Sequence, residues 1–213
     1  MRVLAKFVSG ADTTVIKSLD GSRLGAFCTA NLIDTGMLPE KGGEPLVCWS
    51  GWLGDSDPGE GWFESVPGQW LPSSRAAWDQ VCRVADQQRL ILRPHARHLL
   101  SDGPGCLNWL RGNEGRRLLL DPVAMLEPGM LPDAEDHVSR LLMTVGPLAW
   151  GLVVSDVGVR ETPQRGRWCV PVPAGSGSID MNRFLELIGK FVPETCVLVG
   201  QNELAAALLE PLA

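Results

Sequence analysis

The sequence lacks tyrosine, has only three histidines, and contains no Cys-x-x-Cys pair among its six cysteines. The missing pairs exclude zinc ribbons and redox sites of that spacing. Acidic residues outnumber basic ones, the net charge is -6, and the arginines are scattered along the chain. Binding to a nucleic-acid backbone depends on clustered lysine and arginine. We therefore expect no nucleic-acid partner.

Long apolar runs are also missing. The longest extends over residues 141–154 and is interrupted by Gly146 and Pro147, whereas a transmembrane helix needs about 20 consecutive apolar residues. No basic, strongly apolar leader opens the chain, which argues against secretion. Cysteines such as Cys48 and Cys196 stand in apolar runs, where small buried hydrophobic residues are common. We expect a cytoplasmic protein with reduced thiols and no membrane partner.

The remaining composition is that of an ordinary folded protein, with 45% hydrophobic and 21% charged residues. A chain of 213 residues is long enough for one hydrophobic core, and nothing in it marks a linker. We expect residues 1–213 to form a single domain.

Short apolar runs without strict polar alternation predict strands that are buried on both faces, as parallel strands are. The three clearest runs each end in charged or turn residues. The predicted strands are Arg2–Val8, Leu24–Thr29, Pro45–Ser50, Arg89–His95, Arg117–Asp121, Trp150–Asp156 and Thr195–Val199, and a polar excursion leads from Asp156 to a further run at Trp168–Pro173.

Apolar residues at a spacing of 3.6 predict the helices between these strands. Asp180 is placed to cap the helix that starts at Met181, and Asp12 or Thr13 could cap a short first helix. The predicted helices are Asp12–Leu19, Ser73–Asp86, Gly105–Arg111, Asp133–Val145, Met181–Phe191 and Glu203–Leu209.

The alternation of strands and helices predicts an α/β protein with a TIM-type (β/α) barrel. Complete barrels usually need about 250 residues, so the first β/α unit is expected to be abbreviated or missing. That would leave a sheet edge for a second subunit or the N-terminal segment to cover, and a homodimer is one such arrangement. A flavodoxin-like open sheet is the alternative, but such a sheet has no place for two of the predicted strands.

A long loop rich in glycine, proline and aspartate follows the third predicted strand. Trp49, Trp52, Trp62 and Trp70 lie in it or beside it. Burial of these rings could pin the loop to the barrel rim, or the rings could form a platform for a ring-bearing or sugar ligand. Both interpretations remain open at the level of sequence.

Four features, in this order, resemble the xylose isomerase-like barrels, a family of sugar-phosphate isomerases, epimerases and endonuclease IV type enzymes. They are Leu90–His95 followed by His98, Leu118–Pro122, Gly151–Asp156, and the proline- and glycine-rich loop Pro171–Asp180 before a helix. The resemblance covers the chain from Leu46 to the C-terminus. It implies a TIM barrel whose ligand lies at the carboxyl ends of the strands.

The resemblance also implies a divalent metal held by carboxylates and a histidine at the ends of strands five to eight, and here the sequence departs from the family. Asp121 is retained, but Arg93 stands at the fifth-strand glutamate and Trp49 at a fourth-strand histidine. The remaining expected positions hold Ala124, Val153–Ser155 and Gly200–Gln201, with Glu203 slightly beyond. An arginine would repel a dication and could pair with Asp121.

We therefore expect no metal, with Mn, Zn or Mg held by Asp121 and His95, aided by His98 and Glu203, as the alternative. Gly175-Ser-Gly177 matches neither the P-loop nor the dinucleotide fingerprint, so no nucleotide cofactor is expected.

Two hypotheses follow from the resemblance. In the first, an isomerase or epimerase acts on a small carbohydrate, with Asp121 as general base or metal ligand, His95 as acid and Arg93 orienting an anionic group. In the second, a non-catalytic barrel binds a small anionic or sugar-like ligand, or a protein partner, through Arg93 and the tryptophan loop. The candidate ligand-binding residues are Arg93, Trp49, Asp156, Gln201 and Glu203.

Overall fold

A computed structural model of the chain describes residues 2–9, 14–34, 43–64 and 72–212. The strands in chain order are β1 Leu4–Ser9, β2 Thr14–Ser18, β3 Arg23–Cys28, β4 Leu46–Trp49, β5 Ser56–Asp57, β6 Trp62–Phe63, β7 Ile91–Arg93, β8 Arg117–Leu120, β9 Gly151–Val154, β10 Asp156–Thr162, β11 Gly166–Val172 and β12 Val197–Gly200. The α-helices are α1 Pro72–Gln88, α2 Gly103–Arg111, α3 Ala134–Thr144, α4 Met181–Phe191 and α5 Glu203–Leu208.

Eight of these strands close into a barrel in the order β1, β12, β9, β8, β7, β4, β3, β2. Neighbouring strands are parallel except at β2, which runs antiparallel to both β1 and β3. The predicted α/β barrel is confirmed. Because β2 pairs on both sides, it covers the edge for which a second subunit was considered.

The predicted short helix over Asp12–Leu19 is wrong, because residues 14–18 form β2. Thr14, Val15 and Ile16 are β-branched and fit a pleated strand better than a helix. Ile16 is fully buried inside the barrel, so burial and pairing outweigh the helical spacing of the apolar residues. The two proposed caps, at positions 12 and 13, lie outside the described residues.

The barrel interior is filled by one apolar layer contributed by alternate residues of the strands. Its members are Ala5, Ile16, Val47, Ile91, Leu119, Val153 and Val199. Side chains along a strand alternate between faces, so the residues two positions further on form the next inward layer, at the carboxyl ends of the parallel strands. This mouth layer consists of Phe7, Trp49, Arg93, Asp121, Ser155 and Gln201, together with Phe27 of β3, whose ring faces Arg93.

The outer face of the barrel is covered by the helices, and a second, larger apolar core fills the space between them. The helices α1 to α5 confirm the other five helices expected from the sequence. As predicted, Asp180 caps α4, because its carboxylate accepts a hydrogen bond from the Arg183 N–H at 3.1 Å. Within the described part of the chain, no helix has the length and apolar character to cross a membrane.

Two hairpins extend beyond the carboxyl ends of the barrel strands; the sequence predicts a loop in place of the first and, in place of the second, a polar excursion that ends in the run Trp168–Pro173. The β5–β6 hairpin follows β4, and the β10–β11 hairpin follows β9. Arg165 joins them, because it pairs with Glu60, lies 3.7 Å from Asp57 and places its guanidinium 4.8 Å from the centre of the Trp62 ring. We call the two hairpins together the roof.

Candidate functional site

The mouth layer is centred on an ion pair between Arg93, the last residue of β7, and Asp121, which directly follows β8. Arg93 Nη2 and Nε lie 2.5 and 3.0 Å from Asp121 Oδ2. Asp121 Oδ1 accepts a further hydrogen bond from the Ala124 N–H at 3.0 Å. Both side chains are almost completely buried, with 4% and 2% of their surfaces exposed. The predicted pairing of Arg93 with Asp121 is confirmed.

Aromatic rings surround the Arg93 guanidinium on its other sides. Its central carbon lies 4.3 Å from the ring centre of Trp49, 5.0 Å from Phe7 and 5.2 Å from Phe27. Arg93 Nη2 also donates to Gln201 Oε1 at 3.0 Å. A cation above ring faces is stabilised by the negative charge of the π-systems. The mouth therefore holds a guanidinium that is paired with Asp121 on one side and packed against aromatic rings on the others.

Ser155 adds a polar group to the mouth layer that sequence reasoning missed. Its hydroxyl is fully buried and finds no hydrogen-bond partner among the described residues. Buried hydroxyl groups are usually hydrogen-bonded in native proteins. The two-residue alternation from Val153 could have identified Ser155 as an inward-facing residue.

His95 and His98 lie in the loop after β7, next to the mouth layer, with ring centres 4.8 Å apart. Trp52 stacks on His98 at 5.1 Å, and Phe63 meets the two histidines edge-on at 4.9 and 4.5 Å. Trp49 is in edge contact with both. The structure thus places the two histidines inside an aromatic cluster formed by the tryptophan loop.

Burial, together with the nearby charges of Arg93 and Arg97, lowers the pKa of His95 to about 3. Burial likewise holds the pKa of His98 well below its usual value, aided by His95 and Arg93. His95 Nδ1 accepts a hydrogen bond from the Arg97 N–H at 3.0 Å, so its proton resides on Nε2. Near neutral pH both rings are uncharged, and His95 has no imidazolium proton to give.

Asp156 is the most fully hydrogen-bonded side chain near the mouth. Its Oδ1 accepts from the N–H groups of Val157 and Ile179 at 2.7 and 2.9 Å. Its Oδ2 accepts from Gly175 and Gly177 at 3.0 and 2.8 Å. A Cβ atom at Gly177 would collide with the Asp156 carboxylate and the Val157 carbonyl oxygen. Asp156 therefore organises the loop between β11 and α4.

The last two candidate residues occupy different places. Gln201 lies in the mouth layer and contacts Arg93. Glu203, the first residue of α5, is 81% exposed in its side chain and pairs with Lys6 at 2.7 Å. The structure therefore brings Arg93, Asp121, Trp49 and Gln201 together, with His95 adjacent, while Glu203 lies on the exposed rim.

The tryptophans of the loop after β4 are largely buried. Trp52 and Trp62 are only 4% and 8% exposed, and Trp62 packs with Trp168 and Val170 between the two hairpins of the roof. Trp49 belongs to the mouth layer, and Trp70 lies outside the described residues. Aromatic burial thus attaches the loop to the barrel, while Trp49 remains beside Arg93.

The side chains at the mouth do not suit a divalent cation. Asp121 is the carboxylate of the mouth layer, and both of its oxygens already accept hydrogen bonds. The Arg93 guanidinium beside it would repel a dication. His95 uses Nδ1 to accept a backbone hydrogen bond. Within residues 2–9, 14–34, 43–64 and 72–212, no three His, Cys, Asp or Glu side chains converge on a point that could hold an ion.

No protein-family model and no curated protein sequence matches the chain. The solved structures that are similar to the chain include three proteins. A xylose isomerase-like TIM barrel protein from Mycobacterium smegmatis in complex with magnesium is 12% identical, with a TM-score of 0.49, over 79% of this chain and 58% of that chain. A xylose isomerase domain protein from Planctomyces limnophilus is 15% identical, with a TM-score of 0.47, over 79% and 55%.

The third is protein SMc04130 from Sinorhizobium meliloti 1021, which is 16% identical, with a TM-score of 0.44, over 78% of this chain and 61% of that chain. The matched part thus spans less than two thirds of each of the three proteins. The assignment of the barrel rests on the closed ring of strands described above. Two of the similar structures are xylose isomerase-like or xylose isomerase domain proteins, which is the family that the sequence resembles.

Proposed function

We propose that this barrel binds a small anionic or carbohydrate-like ligand at the carboxyl ends of its strands, that it does so without a divalent metal, and that Arg93 engages the ligand. The observation that carries the proposal is the buried guanidinium in the mouth layer. Three of its five N–H donors point at Asp121 and Gln201. The donors on Nη1 can serve ligand oxygens.

The surroundings of Arg93 support a ligand with hydroxyl groups and an apolar face. The unpartnered Ser155 hydroxyl offers a further hydrogen bond, and Trp49 presents a ring against which a sugar face could pack. Ligand sites typically combine apolar walls with a few convergent polar groups. We assign Asp156 to the support of this site and Glu203 to its rim.

The alternatives have less support. A catalytic isomerase that uses Asp121 as base and His95 as acid requires a free carboxylate and a protonatable histidine, whereas Asp121 is paired and the pKa of His95 is about 3. A metal-dependent isomerase requires a rebuilt set of ligands. A barrel that binds only a protein partner requires no polar group in the mouth layer, and it is the outcome to accept if no small molecule binds.

Two further features belong to this proposal. We take β2 to replace the helix of an abbreviated first β/α unit, a view supported by its position between the parallel strands β1 and β3. We also assign the protein to the cytoplasm, a view supported by six cysteines that form no disulfide.

Calorimetric titration of the purified protein tests the proposal with four probes: inorganic phosphate, acetate, a monosaccharide and its phosphate. Removal of Arg93 alone would strand a buried carboxylate, so the test variant is Arg93→Gln/Asp121→Asn, which removes both charges. We expect binding to the wild type and a loss of affinity of about 100-fold or more for an anion in this variant.

The matched control is Arg116→Gln/Asp86→Asn. Arg116 also pairs with an aspartate and also lies over a tryptophan, at 4.2 Å from Trp109, but it lies at the opposite end of the barrel. The affinity of this control variant for the anionic probes should equal that of the wild type. Equal binding to the Arg93→Gln/Asp121→Asn variant contradicts the role of Arg93, and stoichiometric binding of Mn, Zn or Mg contradicts the metal-free site.

A further inference from the structure

Two cysteines that are far apart in the sequence are neighbours in the barrel. Cys28 on β3 and Cys48 on β4 are register partners in parallel strands. Such strands lie about 4.8 Å apart, and register partners project to the same face. Disulfides join residues whose Cα atoms are roughly 4.4–6.8 Å apart. The backbone therefore places these two side chains within the range of a covalent bond.

The two thiols differ in their environments. Cys48 is completely buried in the core between the barrel and the helices. Cys28 is partly exposed and borders an open groove, which is also lined by Asn31 and Trp52. A reagent from solution can therefore reach Cys28 first, while Cys48 is held next to it.

The interaction between the two neighbouring thiols also makes them unequal in acidity. It lowers the pKa of Cys28 to about 6, because the Cys48 thiol stabilises the Cys28 thiolate, and burial opposes this effect. The same contact, with burial, raises the pKa of Cys48. A thiolate, not a thiol, is the attacking nucleophile in disulfide exchange.

We propose that Cys28 and Cys48 form a redox-active dithiol that a low-molecular-weight disulfide oxidises to an intramolecular disulfide. The Cys28 thiolate attacks one sulfur of the reagent, forms a mixed disulfide and releases one thiolate. Cys48 then loses its proton and attacks the Cys28 sulfur, and the second thiolate leaves. The protein loses two electrons and two protons, and the reagent becomes two thiols.

Oxidation would reach the mouth layer through the neighbouring residues. Phe27 precedes Cys28 and Trp49 follows Cys48, and both rings contact Arg93. A disulfide needs its Cβ atoms about 3.8 Å apart, so it would draw β3 and β4 together. Strained disulfides are readily reduced, and the bond should therefore be reversible.

The experiment equilibrates the full-length protein in buffers with a range of ratios of reduced to oxidised glutathione. Remaining thiols are then alkylated, and mass spectrometry maps them. We expect the wild type to lose two thiols together, with Cys28 and Cys48 linked, and to recover them in dithiothreitol. In the Cys48→Ala variant, Cys28 should instead retain one glutathione, because the resolving thiol is gone.

Kinetics on the wild type provide a test that needs no variant. At pH 7, iodoacetamide should alkylate Cys28 about ten times faster than Cys82 or more, and the pH profile for Cys28 should have its midpoint near 6. Cys82 is the control, since it is also partly buried, but burial raises its pKa to about 11. Equal rates for the two cysteines, or a dithiol that stays reduced at every ratio, would overturn the proposal.

Discussion

Arg93 and His98 are both polar side chains buried near the mouth of the barrel, but their hydrogen bonding differs. Arg93 is neutralised by Asp121 and hydrogen-bonded to Gln201. Neither ring nitrogen of His98 finds a hydrogen-bond partner among the described residues. An unsatisfied buried polar group costs about 1–3 kcal/mol. The unpaired His98 ring therefore lowers the stability of the protein, whereas the buried charge of Arg93 is balanced by Asp121.

Replacement of His98 by phenylalanine should therefore stabilise the protein. The ring would remain in contact with Trp52 and Phe63 without a buried nitrogen, and the free energy of unfolding should rise by about 1 kcal/mol. Urea unfolding monitored by circular dichroism measures this change. His98→Gln is the control, because it keeps an unsatisfied polar group and should give no gain.

The same variants test the pH dependence of stability. The folded protein keeps His95 and His98 neutral, whereas the unfolded chain binds protons below a pH of about 6.5. Stability is therefore highest above that pH and falls on acidification, down to about pH 3 for His95. Each histidine should contribute a slope of about 1.4 kcal/mol per pH unit. His98→Phe and His98→Gln should both reduce the slope, and an unchanged slope would contradict the burial of His98.

At the scale of elements, the loop between β11 and α4 depends on one carboxylate. Asp156 accepts hydrogen bonds from four backbone N–H groups. In asparagine, the side-chain NH₂ group would face two of these N–H groups and could not accept their hydrogen bonds. Asp156→Asn should lower the free energy of unfolding by about 3 kcal/mol. Hydrogen exchange should accelerate at Gly175 and Gly177.

Asp180→Asn provides the comparison, because Asp180 lies at the end of the same loop and caps α4. Asparagine is nearly as good a helix cap as aspartate, so the loss should be only a few tenths of a kcal/mol. If both variants lose the same stability, Asp156 does not have the organising role described here.

Most helices and parallel strands could be predicted from the sequence because their signals are local. The runs Leu90–Leu92, Leu118–Leu120 and Gly151–Val154 carry no charged residue, and α4 combines an apolar face with its cap at Asp180. β2 could not be predicted from the sequence, because its short segment becomes a strand only by pairing with β1 and β3. The run at Trp168–Pro173 indicated part of β11, but the hairpin was missed because the exposed polar half of β10 becomes a strand only by pairing with β11.

The candidate site was predicted in part for the same reason. Arg93 and Asp121 follow apolar runs, so their convergence at the strand ends could be inferred. The burial of His98, the four hydrogen bonds of Asp156 and the meeting of Cys28 with Cys48 depend on loop paths and strand register. These features become visible only once the strands are paired.

At the scale of the whole molecule, the barrel depends on its last strand. β12 pairs with β1 on one side and β9 on the other, so it joins the two ends of the chain. A chain that ends at Thr195 would lack β12 and α5 and would expose two strand edges. We expect this truncation to lose the cooperative unfolding transition and to elute as aggregates in size-exclusion chromatography.

The control is a chain that ends at Leu209, which retains β12 and α5. It should elute as the full-length protein does and unfold in one transition. A monomeric, cooperatively unfolding chain that ends at Thr195 would contradict the dependence on closure.

The roof has a kinetic consequence for any molecule that enters the barrel. Arg93 is only 4% exposed, and Phe63 of the roof packs against Trp49 and His95 beside it. For the ligand proposed above, entry would require Phe63 to move away from Trp49 and His95, and this first-order step would limit the rate of binding. At saturating ligand concentrations the observed association rate would reach a plateau at the rate of this opening motion. The same motion would limit the rate at which a bound ligand dissociates.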